Sequence, residues 1–289
     1  GGFHFIHPPQ VGVKLNLRAS MAKQMRRKPS ASGKPKTERR PSAYGKTKAE
    51  RRPSAPESTE GMRLNKYVAH CGVASRREAA EIVKQGHITV NSVVETEPFY
   101  QIKTGDIVKY KGQVIRPEVR RVYYLMNKPK NVITTTSDEK GRKTVLDLVA
   151  DRVEERVFPV GRLDRDTTGL LLLTNDGELA LKMTHPSYKI KKIYHATLNK
   201  TVSKEDLEKI RAGLELEDGP APVDAADYIV ERPHSEVGLT VHIGRNRIVR
   251  RIFEHLGYEV LKLDRVYLGG LTKKDLPRGF MHKLTSQEI

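Results

Sequence analysis

The chain has 289 residues, enough for about two domains with cores of their own, and its 53 Lys and Arg against 35 Asp and Glu leave a formal net charge of +18. So large a basic excess suits a polyanionic partner and points to nucleic acid; no run approaches the ~18 apolar residues of a spanning helix and the basic residues do not gather on one amphipathic helix, so no membrane role is expected. Cys71 is the only cysteine, which excludes an intrachain disulfide and multi-thiolate metal sites and fits the reducing cytoplasm, and the ten histidines include no pair at ligand spacing, so no metal is expected.

Residues 1 to 20 precede Met21, lack the basic-then-apolar organisation of a secretory signal, and read as an upstream extension. From Met21 to about Glu60 the composition turns to Lys, Arg, Pro, Ser and Ala, too polar to offset the entropy of ordering, so residues 1 to 60 read as a disordered basic arm. Within it GKPKTERRPSA, Gly33 to Ala43, is echoed by GKTKAERRPSA, Gly45 to Ala55. Two copies of so short a unit build no solenoid; a tether that neutralises phosphates is favoured over a merely solubilising tail.

Residues 61 to 120 read as a small compact module. Leu64, Val68 and Cys71 fall at helical spacing, Ser75 to Glu78 has the form of a capping box opening a second helix, and Gly86 would end it. Ile88 and Val90 alternate as in a strand, and KTGDIVKY and KGQVI read as short strands joined through glycine turns. Arg76 and Arg77 stand in the first turn of the second helix, where they oppose its dipole unless an anion arrives. The segment RLNKYVAHCGVASRREAAEIVKQGHITVNS resembles the S4 RNA-binding domain. That resemblance implies that the two helices meet structured RNA through Arg63, Lys66, Ser75, Arg76 and Arg77, against the plainer reading of solvated surface charge.

Residues 121 to 289 mix strands and helices without strict alternation, which predicts an α+β domain with a mixed, largely antiparallel sheet. RVYYLMNKP, ERVFPVG and GLLLLTNDG hold strand candidates; the run Leu170 to Leu173 suits a strand covered on both faces, with a turn at Asn175 to Gly177. The polar loop just before it carries Asp164 between Arg162 and Arg165, a place where a scaffold presents reactive groups. Taken alone, such an aspartate is usually a turn residue paired with an arginine, and Asp166, Asn175 and Asp176 are left with that reading. In the helix expected from Arg247 to Leu256, the apolar residues Ile248, Val249, Ile252, Phe253 and Leu256 form one stripe, which would turn Arg247, Arg250 and Arg251 away from the core.

GRLDRDTTGLLLLTNDGELALKMTHPSYKIKKIYHATL, LEDGPA and GRNRIVRRIFEHLGYEV resemble the motif regions of the RsuA-like pseudouridine synthases, in which an S4 module commonly precedes the catalytic domain. The resemblance implies isomerisation of a specific uridine to pseudouridine in ribosomal RNA, that of the large subunit by the DGELA, HPS and LEDGPA runs, with no cofactor. It implies Asp164 as the essential catalytic residue, Tyr194 as the tyrosine that stacks on the target base, and Arg250 as the basic partner of the catalytic carboxylate. Arg247 and Arg251 would hold phosphates, and Arg162 would enter the space left by an extruded base or hold a neighbouring phosphate. Lys128 falls in a first motif read as structural, with Asn131 near where relatives commonly have glycine, and Ile248 stands where they often have glutamine. A monomer is expected. The competing readings are a non-catalytic RNA-binding ribosome-assembly factor and a small-subunit enzyme, while DNA binding is disfavoured because nothing resembles a major-groove reader.

Overall fold

A computed structural model describes residues 59 to 117 and 120 to 289; the arm expected over residues 1 to 60 lies, but for its last two residues, outside the described residues. The first module holds α1 (Leu64–His70) and α2 (Arg76–Lys84), then β1 (Ile88–Val90), β2 (Val93–Val94), β3 (Val108–Tyr110) and β4 (Gln113–Val114). The capping box forms: Ser75 Oγ accepts from the Glu78 N–H, and the Glu78 carboxylate accepts from the Ser75 N–H at 2.8 Å. Gly86, at φ +74°, follows the helix end in the left-handed conformation that glycine adopts without steric cost. The strands form an antiparallel sheet in the order β2-β1-β3-β4, and Leu64, Val68, Val83, Ile88 and Val108 share one buried core with the helices. Strand β2 is not foreseen in the sequence: a two-residue strand is too short to show a period and depends on the turn made by Asn91 and Ser92, both at positive φ.

The second module contains β5 (Tyr123–Lys128), β6 (Phe158–Val160), β7 (Thr168–Thr174), α3 (Gly177–Thr184), β8 (Lys192–Leu198), α4 (Lys204–Ala212), β9 (Leu214–Leu216), β10 (Gly219–Ala221), β11 (Ala225–Tyr228), β12 (Glu236–Val241), α5 (Ile248–His255), β13 (Val260–Leu268), β14 (Leu271–Thr272) and β15 (Met281–Lys283). Its main sheet runs β11-β12-β8-β13-β7-β5-β15, with β14 on β13 and β6 on β7, while β9 and β10 form a separate hairpin. Among the described strands only β7 and β13 pair in parallel, so the class is α+β with a mixed, mostly antiparallel sheet.

The four leucines of β7 explain its central place. Leu171 and Leu173 pack with Met126, Val145 and Val157, while Leu170 and Leu172 point the other way, to Leu125, Leu268 and, from α3, Leu179. All four are essentially buried, each contributing about 1.5–3 kcal/mol of transfer free energy before cavity effects. A strand fixed so firmly on both faces is a rigid base for the loop that precedes it. Its turn is closed by Asp176, which caps α3 through the N–H groups of Glu178 and Leu179 and accepts from Arg121 and Tyr123, the structural role read for it in the sequence. Among the described residues no helix is long and apolar enough to cross a membrane.

Candidate active site

The loop between β6 and β7 presents Asp164, and its main chain is held at Leu163, Asp164, Arg165 and Thr167. Thr134 Oγ1 donates to Leu163 O at 2.8 Å and accepts from Leu163 N, and the N–H of Asn131 donates to Arg165 O at 2.8 Å. The ammonium of Lys128 donates to Asp164 O at 3.0 Å and Thr167 O at 2.8 Å, with further contacts to the carbonyls of Pro129 and Arg165. Lys128 is fully buried, and burial pulls its ammonium down to about 8, opposed by the carboxylates of Asp166 and Asp164. Asn131, at φ +66°, takes the left-handed conformation that asparagine tolerates better than most residues with a Cβ. The motif around Lys128 therefore fastens the loop from beneath.

The half-buried Asp164 carboxylate faces a cleft of about 240 Å³ that Tyr194 on β8, Arg162 and Arg247 also line. Its nearest cation is Arg247, with Nη1 3.9 Å from Asp164 Oδ2, rather than its sequence neighbours Arg162 and Arg165. Arg247 immediately precedes α5 in a left-handed conformation, φ +46°, and its guanidinium lies between Asp164 and Glu254 of α5, with Nη2 3.6 Å from Glu254 Oε1. Arg162 is exposed at the rim, and Tyr194 is half-buried on the wall.

One of the arginines expected on the outer face of α5 is placed differently. Arg250 is only 5% exposed and lies on the buried side with Ile248, Val249, Ile252 and Phe253. Its Nη2 pairs with Asp166 at 2.8 Å and its Nη1 donates to Val260 O at 2.8 Å. This corrects the reading that Arg250 faces away from the core: an arginine can be buried when its charge is matched, and Asp166 supplies the match. In this structure the partner of Arg250 is Asp166, and the guanidinium beside Asp164 is that of Arg247. Arg251, half-buried, shares the Asp218 carboxylate with Arg245, and the two guanidiniums hold that carboxyl well below its ordinary range. The β9–β10 hairpin is thereby tied to the start of α5.

On the S4-like module Arg76 and Arg77 are exposed in the first turn of α2, and the Ser75 oxygen is engaged in the capping box. Arg63 is exposed just ahead of α1, its guanidinium 5.0 Å from the centre of the Phe99 ring, and Lys66 is half-buried on α1. These residues sit on the two helical segments of the small core, apart from the lining of the cleft.

Among the cleft residues that escape the sequence reading are Lys192 and Arg265. Lys192 lies two residues before Tyr194 on β8 and so shares its face of the strand; Arg265 lies on β13, directly opposite Tyr194 in the antiparallel register. The signal for Lys192 was present in KIY, and that for Arg265 in a charged residue at the inward phase of LKLDRVYL, two positions after buried Leu263. Asp264, next to Arg265, carries a second network: it accepts from Thr168, Arg278 and Lys273. Burial would raise its pKa, but these partners outweigh that and lower it to about 2.

A model of the RNA pseudouridylate synthase family matches residues 122 to 255, and a model of the S4 domain matches residues 62 to 108. Ribosomal large subunit pseudouridine synthase B of Bacillus subtilis (strain 168) is 43% identical over 230 residues, 78% of this chain and 93% of that protein. The dual-specificity RNA pseudouridine synthase RluF of Escherichia coli (strain K12) is 35% identical over 236 residues, 81% of this chain and 78% of its own. A crystal structure of a pseudouridylate synthase is similar at a TM-score of 0.55 and 27% identity, covering 78% of this chain and 97% of that one. Likeness of this extent, running through both modules, shows that the chain belongs to the RNA pseudouridine synthase family, isomerases that act on RNA.

Proposed function

We propose that the protein converts a specific uridine of large-subunit ribosomal RNA to pseudouridine, with Asp164 as its catalytic carboxylate. The observation that carries the assignment of Asp164 is its placement: a half-buried carboxylate in the lining of a cleft that Tyr194 also lines, on a loop whose main chain is held at Leu163, Asp164, Arg165 and Thr167. The likeness to the Bacillus enzyme supports the choice of large-subunit RNA.

Isomerisation requires the N1–C1′ bond to break and a C5–C1′ bond to form while the base stays in the site. The Asp164 carboxylate serves either as nucleophile toward the ribose or as base toward one of its protons; in both cases its main work is to be rigidly placed, since small misplacements cost large factors in rate. Arg247 beside it steadies the negative charge. Tyr194 offers a ring face on which the extruded uracil stacks, and Arg162 at the rim is placed to enter the vacated stack, where extrusion costs a few kcal/mol. The S4-like module, through Arg63, Lys66, Ser75, Arg76 and Arg77, and the basic arm supply affinity for structured RNA by phosphate contacts.

The test is to incubate the protein with unmodified large- and small-subunit ribosomal RNA transcripts and map new pseudouridines by carbodiimide-dependent reverse-transcription stops. One new stop in the large-subunit transcript is expected. Stops confined to the small-subunit transcript would refute the substrate, and tight binding with no stop in either would favour a ribosome-assembly role.

A further inference from the structure

Besides Arg245, which is paired with Asp218, the cleft holds two cations that the steps above do not use. Arg265 is 3% exposed; its Nε donates to Leu170 O at 2.7 Å, while its Nη2 is buried with no hydrogen-bond partner. Lys192, on the adjoining strand, is half-buried and donates to His242 O at 3.1 Å. Burial lowers the Lys192 pKa, and the neighbouring Arg265 charge lowers it further. Among the described residues neither has a carboxylate within ion-pair distance, unlike Arg245, Arg250, Arg251, Lys273 and Arg278. Two like charges withdrawn from water with no counter-charge are costly, and a donor left unpaired in a cleft is an opening for an acceptor from outside. Both side chains line the same cleft as Asp164 and Tyr194.

Resting on the reaction proposed above, we propose that Lys192 and Arg265 bind the carbonyl oxygens of the target uracil and stabilise the negative charge of the base while it is detached. When the N1–C1′ bond breaks, its electron pair stays on the ring and spreads over N1, O2 and O4. The base then turns about its N3–C6 axis, which exchanges N1 with C5 and O2 with O4. A donor that holds one carbonyl before the turn therefore meets the other after it, and the same two cations serve both halves of the reaction. C5 next gives its electron pair to C1′, the C5 proton leaves to a base, and N1 gains a proton, so the product is an isomer with no oxidant or co-reactant consumed. A cytosine would present an amino donor in place of O4 toward these cations, so the pair also selects uracil.

The geometry of the close approach fits this role. Gly169 on β7 lies against the main chain of Arg265 so tightly that a Cβ there would come closer than 3.0 Å to the Arg265 oxygen and nitrogen. That contact sets the depth at which Arg265 enters the cleft.

The experiment compares wild type, Lys192→Met and Arg265→Met on the large-subunit RNA fragment that wild type isomerises, carrying either uridine, 2-thiouridine or 4-thiouridine at the target position. Single-turnover rate and RNA affinity are measured separately, with thermal melting to establish folding; Lys192→Met carries the test should Arg265→Met fail to fold. The expected result is a fall of about 100-fold or more in rate with RNA Kd within about threefold, as when one oxyanion donor is removed. Sulfur accepts hydrogen bonds weakly, so thio-substitution should slow wild type and have a smaller added effect on the variant. A variant with normal rate, or one that loses affinity but stays as sensitive to sulfur as wild type, would overturn the proposal, the latter indicating a phosphate contact. A wild type that isomerises no uridine would instead overturn the reaction on which it rests.

Discussion

The ammonium of Lys128 donates to the main-chain oxygen of Asp164 at 3.0 Å, so the residue whose carboxylate faces the cleft is gripped from behind by a buried charge. Replacing that charge with an isosteric apolar chain leaves the carbonyl of Thr167 unpaired, at about 1–3 kcal/mol, while that of Asp164 keeps only the N–H of Thr167; it also removes the cost of burying an ammonium. Lys128→Met should therefore change stability by only about 2 kcal/mol, because the two effects oppose, while lowering the rate by about 100-fold through misplacement of Asp164. Denaturant unfolding and single-turnover rates measured on one preparation check the contrast; a large loss of stability with a normal rate among folded molecules would assign Lys128 to the core alone.

The same ammonium gives a pH dependence. Its folded pKa, about 8, lies below the ordinary 10.5, so between those values the unfolded chain binds more protons and the contribution of this group to stability rises with pH. Over the same window the amine has fewer N–H groups for its four carbonyls, and the loop is held less firmly. Stability from this group and activity should thus move in opposite directions above about pH 8, and the stability trend should be absent in Lys128→Met.

Asp264 behaves in the opposite sense. Its pKa is lowered to about 2 from 3.8, so its stabilisation is present above the unfolded value and is lost as pH falls through about 2. Asp264→Asn should cost on the order of 1–2 kcal/mol at neutral pH, allowing for the partial exposure of Lys273 and Arg278, and the gap from wild type should close in acid. Urea denaturation at several pH values from 2 to 7 measures it.

Gly169→Ala is expected to be among the most damaging single changes. At φ +111° the position disfavours any side chain, and the added methyl would meet the Arg265 main chain, which cannot yield without parting β7 from β13. A loss of about 3–5 kcal/mol by urea denaturation is expected; a loss under about 1 kcal/mol would mean the two strands can separate freely.

The pair of buried Arg250 and partly exposed Asp166 should respond asymmetrically. Asp166→Asn strands a guanidinium that is 6% exposed, whereas Arg250→Met leaves a carboxylate that is 41% exposed and can hydrate. The first is expected to cost about 2–4 kcal/mol and the second less, as read by thermal or urea unfolding. Equal small costs would return Arg250 to the solvent-facing side of its helix.

What the sequence makes legible is what short-range chemistry decides. The Ser75–Glu78 capping box, the doubly covered leucine run of β7 and the capping turn at Asp176 each depend on a few neighbouring residues, and each stands in the structure as the pattern implies. The orientation of Arg250 is not legible, because an apolar stripe assigns every arginine outward and cannot register that Asp166, distant in sequence, neutralises one of them. Local phase puts Lys192 on the face of Tyr194 and Arg265 inward, but only the pairing of β8 with β13 and of β13 with β7 makes that face the wall of a cleft. The position of Arg247 likewise depends on one left-handed residue ahead of α5.

The central claim, that Asp164 carries the isomerisation, is tested most directly by release of tritium from C5-labelled uridine in unmodified large-subunit ribosomal RNA, with wild type and Asp164→Asn side by side. Because the binding charges lie elsewhere, release by wild type alone is predicted, with RNA affinity of the variant within about threefold. Equal release by the folded variant would contradict the account and remove Asp164 from the reaction.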